Sequence, residues 1–406
     1  MKLISGGVTA AKGFRAAGIH AGVKAGSSPE KNDLAMILCD TEATAAGVYT
    51  MNRVKAAPIY VTMEHLENGT ARGIIANSGN ANACAPLGHE NAVKMCQAAA
   101  AATGLEEGDF IVASTGVIGQ TINVEAVEKA TPTLASLLSR DGSMEAARAI
   151  MTTDTRAKEI AVSFEIGGKE VRLGGIAKGS GMIHPNMGTM LCFLTTDCAI
   201  SSDVLQDALY NITKVTFNRV SVDGDTSTND MCCILASGKA ENPLIDWRSE
   251  DYDRFCEALK YVCTELAKKI AGDGEGATKL VACTVSGSRS DEAAEKLAME
   301  VIRSSLVKAA MFGADANWGR VLCAMGYSKA PFRPEFVDVA FSSAAGTIQV
   351  CKAGEGLDFD EDLAKKVLSQ PEVEILVNVN EGEHSVTAWG CDLTYDYVKI
   401  NGDYRT

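Results

Sequence analysis

The sequence predicts an α/β (α+β) protein built as a layered sandwich of mixed β-sheets between helices. Three observations carry this. Residues 251–270 repeat Phe255, Leu259, Val262, Leu266 and Ile270 on one helical face, which needs a flat apolar surface to pack on. Residues 158–166 and 170–176 alternate on either side of Gly167-Gly168, the pattern of a β-hairpin. The chain has 406 residues, 46% apolar and 22% charged, enough to bury a large core beneath such layers.

The elements follow in order. Residues 6–24 are Gly/Ala-rich and read as loop and short strand. Residues 33–40 and 45–49 read as buried strands. Gly73-Ile74-Ile75 runs into Ala76-Asn77-Ser78-Gly79-Asn80-Ala81-Asn82-Ala83, small polar residues of the kind that make a loop. Residues 91–103 form a helix closed by Gly104. Phe110-Ile111-Val112-Ala113 is a strand that delivers Ser114-Thr115-Gly116. A strand ending this way presents a hydroxyl and backbone N–H groups at one point, as an oxyanion hole requires. On residue types alone, a plain strand-to-loop corner accounts for it as well. Residues 143–151 read as a helix ending at Thr152-Thr153-Asp154-Thr155, and the hairpin then carries the chain to Lys178.

Ser201 or Ser202 caps a helix to about Lys214. Asp223-Gly224-Asp225 invites a calcium loop. However, Thr228 stands at the required glycine and Ile234 at the closing glutamate. The run from Gly272 to Lys279 lacks the spacing of a phosphate loop and follows a helix. Its Glu275 reads, by residue type, as a solvated loop charge. Residues 280–285 form a strand, and Ser290 caps a helix through about Lys308. Asn317 and Arg320 are site residues or part of a packed turn. Residues 336–341 with 347–352, and 373–379 with 385–393, read as two further hairpins.

Charge and cysteine usage exclude several functions. The net charge of −14 argues against a nucleic-acid surface. No run approaches the ~20 apolar residues of a membrane span, and the first residues, MKLISGGVTAAKGF, lack a signal-peptide core. The expectation is a cytoplasmic protein with no membrane partner. The 13 cysteines are scattered, with Cys39, Cys192, Cys283 and Cys323 in apolar runs, so buried reduced thiols are expected. The five histidines lie far apart in sequence, so no metal site is expected.

The stretch with most chemistry in it is Lys178-Gly179-Ser180-Gly181-Met182-Ile183-His184-Pro185-Asn186-Met187-Gly188-Thr189-Met190-Leu191. A threonine hydroxyl is a poor nucleophile without an adjacent base. If the chain is cut before Thr189, its new α-amine, with a pKa of about 8, is that base. Gly188, without a Cβ, leaves its carbonyl open and tolerates a strained backbone. A Gly-rich turn feeding a buried strand is the alternative on residue types alone.

Residues 178–197, KGSGMIHPNMGTMLCFLTTD, resemble the cleavage and nucleophile segment of the ornithine acetyltransferase family, the bifunctional glutamate N-acetyltransferases of arginine biosynthesis. The likeness runs from about residue 6 to the last residue, through several motifs in the same order. The residue before the threonine is usually alanine in that family and is Gly188 here. The resemblance implies a self-cleaving N-terminal-nucleophile fold of the type shared with the DmpA aminopeptidase. It implies a cut between Gly188 and Thr189 into pieces 1–188 and 189–406, and assembly as an α2β2 heterotetramer. It assigns Thr189 as nucleophile and Thr115 and Gly116 to the oxyanion hole. Thr152, Lys178, Thr189, Glu275, Asn401 and Thr406 become substrate contacts. The reaction it implies moves acetyl from N2-acetyl-L-ornithine to L-glutamate, with acetyl-CoA a second donor in bifunctional members and no metal or organic cofactor. Two alternatives stay open: a self-cleaving amidase or aminopeptidase of the same superfamily, and an uncleaved, non-catalytic binding protein.

Overall fold

The computed structural model describes residues 1–24, 26–184 and 190–403. Among them, nine strands make one mixed sheet: β1 (Lys2–Ile4), β2 (Phe14–Ile19), β3 (Leu34–Tyr49), β4 (Thr70–Asn77), β5 (Phe110–Ser114), β6 (Lys158–Ile166), β7 (Lys169–Lys178), β8 (Leu191–Thr196) and β10 (Met231–Ala236). The order is β1-β6-β7-β8-β10-β3-β4-β5, with β2 also on β3. A second sheet runs β14-β13-β12-β15-β11-β16-β9. Its strands are β9 (Val220–Ser221), β11 (Leu280–Ser288), β12 (Asp338–Ser343), β13 (Gly346–Lys352), β14 (Glu355–Gly356), β15 (Glu372–Asn378) and β16 (His384–Cys391).

The helices are α1 (Ala57–His65), α2 (Gly88–Thr103), α3 (Val124–Ser136), α4 (Ser143–Ala149), α5 (Ser202–Val215), α6 (Glu250–Ala271), α7 (Asp291–Arg303), α8 (Ser305–Phe312), α9 (Trp318–Gly326), α10 (Glu361–Leu368) and α11 (Tyr395–Asp403). None is long and apolar enough to cross a membrane.

The central strands of the large sheet are buried on both faces. Along β8, Cys192 and Leu194 pack toward α5 and α6, while Leu191 and Phe193 join the opposite core with residues of α4. The predicted stripe of α6 is buried throughout, and its layer also takes Trp389 and Cys391 of the second sheet. The other face of that sheet is covered by α7, α8, α9 and α10. This is the layered sandwich of mixed sheets and helices that the sequence predicts.

Several details differ. The two strands expected at 33–40 and 45–49 are one bent strand, β3, whose register against β4 shifts between Leu38 and Ala43. The helix expected from Ser290 to Lys308 breaks at Ser304, which has extended backbone and caps α8 by accepting from Val307 N–H. Residues 373–379 and 385–393 do not form a hairpin, because β11 lies between β15 and β16, parallel to the first and antiparallel to the second. Cys39, Cys192 and Cys283 are buried, but Cys323 is exposed on α9. Helix α3, which carries Pro132 inside it, is an element the local sequence pattern does not announce.

Candidate active site

Strand ends from the large sheet meet at one point. Thr115 and Gly116 follow β5 directly, and the Thr115 N–H donates to Asn77 O at the end of β4 (3.0 Å). Gly116 has φ +132°. A Cβ there would sit 2.4 Å from the Gly79 carbonyl carbon and 2.5 Å from the Asn80 nitrogen, so only glycine lets the two loops approach. Ala81 N–H donates to Val117 O (2.9 Å) across this contact. Asn229, from the acidic run that failed as a calcium loop, donates its amide to Ala81 O (2.6 Å) and Ser114 O (2.8 Å). That run braces the corner, and its Ser227, Thr228 and Asn229 also line the pocket. Its Asp223 accepts from Met182 N–H (2.6 Å) and Ile183 N–H (2.9 Å), and Thr226 Oγ1 donates to His184 O (2.8 Å).

Lys178 closes β7 beside this corner. Its Nζ donates to Thr152 Oγ1 (2.9 Å) and Thr115 Oγ1 (3.3 Å). The ammonium is buried and makes no ion pair among the described residues. Burial pushes its pKa down and Lys158 adds to this, while Asp154, Glu275 and Asp230 pull it up. A buried cation whose bonded partners are two neutral hydroxyls is suited to receive an anion from a ligand.

Beneath it lies a network that sequence reasoning missed. Asp154 accepts from Lys158 Nζ (2.6 Å), Gly179 N–H (2.8 Å) and Thr152 N–H (3.1 Å). Burial raises its pKa, but the charges of Lys178 and Lys158 and these hydrogen bonds outweigh that and hold it at about 2. Lys158 Nζ also reaches Asp273 (2.6 Å), which accepts from the Thr155 N–H (3.1 Å), the Arg156 N–H (3.3 Å) and the Thr155 hydroxyl. Ser180 Oγ donates to Asp273 O (2.7 Å), and Glu275 N–H donates to Ser180 O (3.1 Å). One buried cation and two carboxylates thus lock the loop after α4, the end of β7 and the loop after α6 together.

Glu275 is not a solvated loop charge. It lines the same pocket as Thr115, Gly116 and Thr152, and Asn401 Nδ2 on α11 donates to its Oε2 (2.7 Å). The C-terminal helix is anchored there by Thr394 Oγ1, which donates to Gly276 O (2.7 Å). A Cβ on Gly181 would meet the Glu275 carboxylate at 2.4 Å. Gly181→Ala is therefore expected to push Glu275 aside and raise the KM of a substrate bound in this pocket by roughly tenfold, about 1.4 kcal/mol, with little loss of stability. Steady-state kinetics check this; an unchanged KM would mean that Glu275 contacts no substrate there.

Six predicted site residues (Thr115, Gly116, Thr152, Lys178, Glu275 and Asn401) thus converge. Gly188, Thr189 and Thr406 lie outside the described residues. Asn317 and Arg320 belong to a packed turn: Asn317 caps α9 by accepting from Arg320 N–H (3.1 Å), and Arg320 Nη1 donates to Leu306 O (2.9 Å).

The profile of the ArgJ family matches residues 15–406. The chain belongs to the ArgJ family. It is 47% identical to the arginine biosynthesis bifunctional protein ArgJ of Caldanaerobacter subterraneus subsp. tengcongensis and 50% identical to that of Symbiobacterium thermophilum, each match covering 100% of both chains. A solved chain of the Bacillus halodurans arginine biosynthesis bifunctional protein argJ is 47% identical, with a TM-score of 0.50; the match covers 52% of this chain and 98% of that one. The family's enzymes are acyltransferases of arginine biosynthesis, and this chain is an enzyme of that class.

Proposed function

We propose that the chain cuts itself between Gly188 and Thr189 and then moves acetyl from N2-acetyl-L-ornithine to L-glutamate through an ester on Thr189. The observation that carries this is one pocket that holds a carboxylate and an oxyanion-type corner, with a buried ammonium bonded to two of its lining threonines. Lys178 suits the donor's α-carboxylate and Glu275 its δ-ammonium, with Thr152, Asn401 and Thr406 as hydrogen-bonding partners. Strand pairing supports the role of Thr189: Leu191, two residues beyond it, pairs with Lys178 across β7 and β8. The Bacillus halodurans chain also fits a cut, since nearly all of it is matched by about half of this chain, as a piece from Thr189 onward would be.

In this reading the Thr189 hydroxyl attacks the Gly188 carbonyl, the acyl group shifts from nitrogen to oxygen, and water releases pieces 1–188 and 189–406, which stay together. The freed α-amine takes the hydroxyl proton as that oxygen attacks the acetyl carbonyl. The Thr115 hydroxyl and Gly116 N–H receive the negative charge, each donor worth about 3 kcal/mol. Ornithine leaves with the proton, and the glutamate amine then takes acetyl from the ester. No step calls for a metal or an organic cofactor. We further place the enzyme in the cytoplasm, where free amino acids are made, as an α2β2 assembly.

The test is acceptor dependence. With N2-acetyl-L-ornithine alone, ornithine release should be slow; adding L-glutamate should accelerate it, yield N-acetylglutamate and give parallel double-reciprocal lines. Release of acetate at a rate indifferent to glutamate would favour the amidase reading instead.

A further inference from the structure

An ammonium has three protons to donate and no lone pair to accept with. The Thr115 and Thr152 hydroxyls, 3.3 Å and 2.9 Å from Lys178 Nζ, are therefore both acceptors toward it. Neither hydroxyl has an acceptor for its own proton among the described residues, and the Gly116 N–H likewise has none. All three residues line the pocket. The lysine therefore directs which way the Thr115 O–H points. Accepting from a cation also polarises that O–H and strengthens it as a donor.

We infer that Lys178 is a positioning residue of the oxyanion hole as well as a substrate contact: its ammonium turns the Thr115 hydroxyl proton into the pocket, and the Asp154 carboxylate fixes the backbone beside Lys178 and at Thr152. The inference rests on the acyl-transfer reading of the site. Asp154 is placed for this task, since it accepts from the backbone of Gly179, next to Lys178, and of Thr152, the other hydroxyl partner. The charged groups acting on Lys178 are Asp154, Lys158, Glu275 and Asp230. Two of the ammonium protons go to the threonines, and the third is left for the substrate carboxylate.

The two roles separate in kinetics. A contact made equally in ground and transition states appears in KM, whereas one that serves the oxyanion appears in kcat. Lys178→Met, Thr115→Val and the double variant are compared for rate of self-cleavage by intact mass, for kcat and KM, and for denaturant midpoint. Lys178→Met is expected to lower kcat on the order of 100-fold, and the double variant to fall within roughly threefold of the worse single one, because both remove one device. A Lys178→Met chain that stays uncut at the wild-type midpoint also supports the inference, since that cut involves no free substrate. If Lys178→Met loses the fold, Asp154→Asn carries the comparison: its amide oxygen can still accept from Gly179 N–H, while the charge and the acceptor for Thr152 N–H are removed, and kcat should fall more than KM rises. A raised KM with kcat within about twofold of wild type, or a double variant losing the product of the two single effects, overturns the inference. Wild type that transfers no acetyl would instead sink the underlying reading of the site.

Discussion

Replacing Thr189 by alanine is expected to leave one uncut chain of 406 residues and to abolish acetyl transfer. Both effects have one cause. The same hydroxyl attacks the Gly188 carbonyl during processing and the acetyl carbonyl during turnover, and alanine has no oxygen to do either. Losing a covalent nucleophile typically costs on the order of 10⁴–10⁶ in kcat, well beyond the loss of any single hydrogen-bond donor around it. Thr189→Ser keeps the hydroxyl and should still cut. Intact mass under denaturing conditions reads the outcome directly, with wild type giving two pieces. A Thr189→Ala chain that is still cut, or still transfers acetyl, would place the nucleophile elsewhere.

Lys158→Met is expected to produce the largest loss of stability. Lys158 is buried, and its Nζ lies 2.6 Å from both Asp154 and Asp273. Removing one partner of a buried ionic group strands the others, at a typical cost of 3–5 kcal/mol. The denaturant midpoint at neutral pH should drop accordingly, and the site should loosen with it, because two of its loops and the end of β7 hang on this cluster.

The pH dependence has a definite sign. The folded-state pKa of Asp154 is depressed, from 3.8 to about 2. Its contribution, about 2 kcal/mol, is thus present above the unfolded carboxylate range and is lost as pH falls from about 4 toward about 2. Wild type should lose stability across that window, and Lys158→Met should lose less, having less charge pairing to surrender. Equal midpoints for the two proteins at neutral pH would mean that Lys178 alone neutralises the cluster.

Much of this protein is legible along the chain. The α6 stripe, the Gly167-Gly168 hairpin, the Gly104 helix end and the strand into Thr115 are local patterns of period 3.6 or 2 with their own stop signals, and the structure keeps them. The family resemblance implies Lys178, Thr115, Gly116, Thr152, Glu275 and Asn401 as site residues, and the fold brings those six to one pocket or to direct contact with its lining. The expected third hairpin failed because two neighbouring alternating runs look the same whether they pair with each other or with a strand inserted between them.

The layered architecture and the chemical types gathered around Lys178 are legible from residue order alone. Their charge and aim come from the folded chain. Asp154 and Asp273 stand far apart in the chain and meet through Lys158, and Glu275 gains its place only because Gly181 lacks a Cβ. Residue type and spacing encode propensity and periodicity, which act over a few residues. Burial, ion pairing and the direction of a hydroxyl proton depend on which distant backbones close around a group, and that geometry exists only once the sheets and loops have come together.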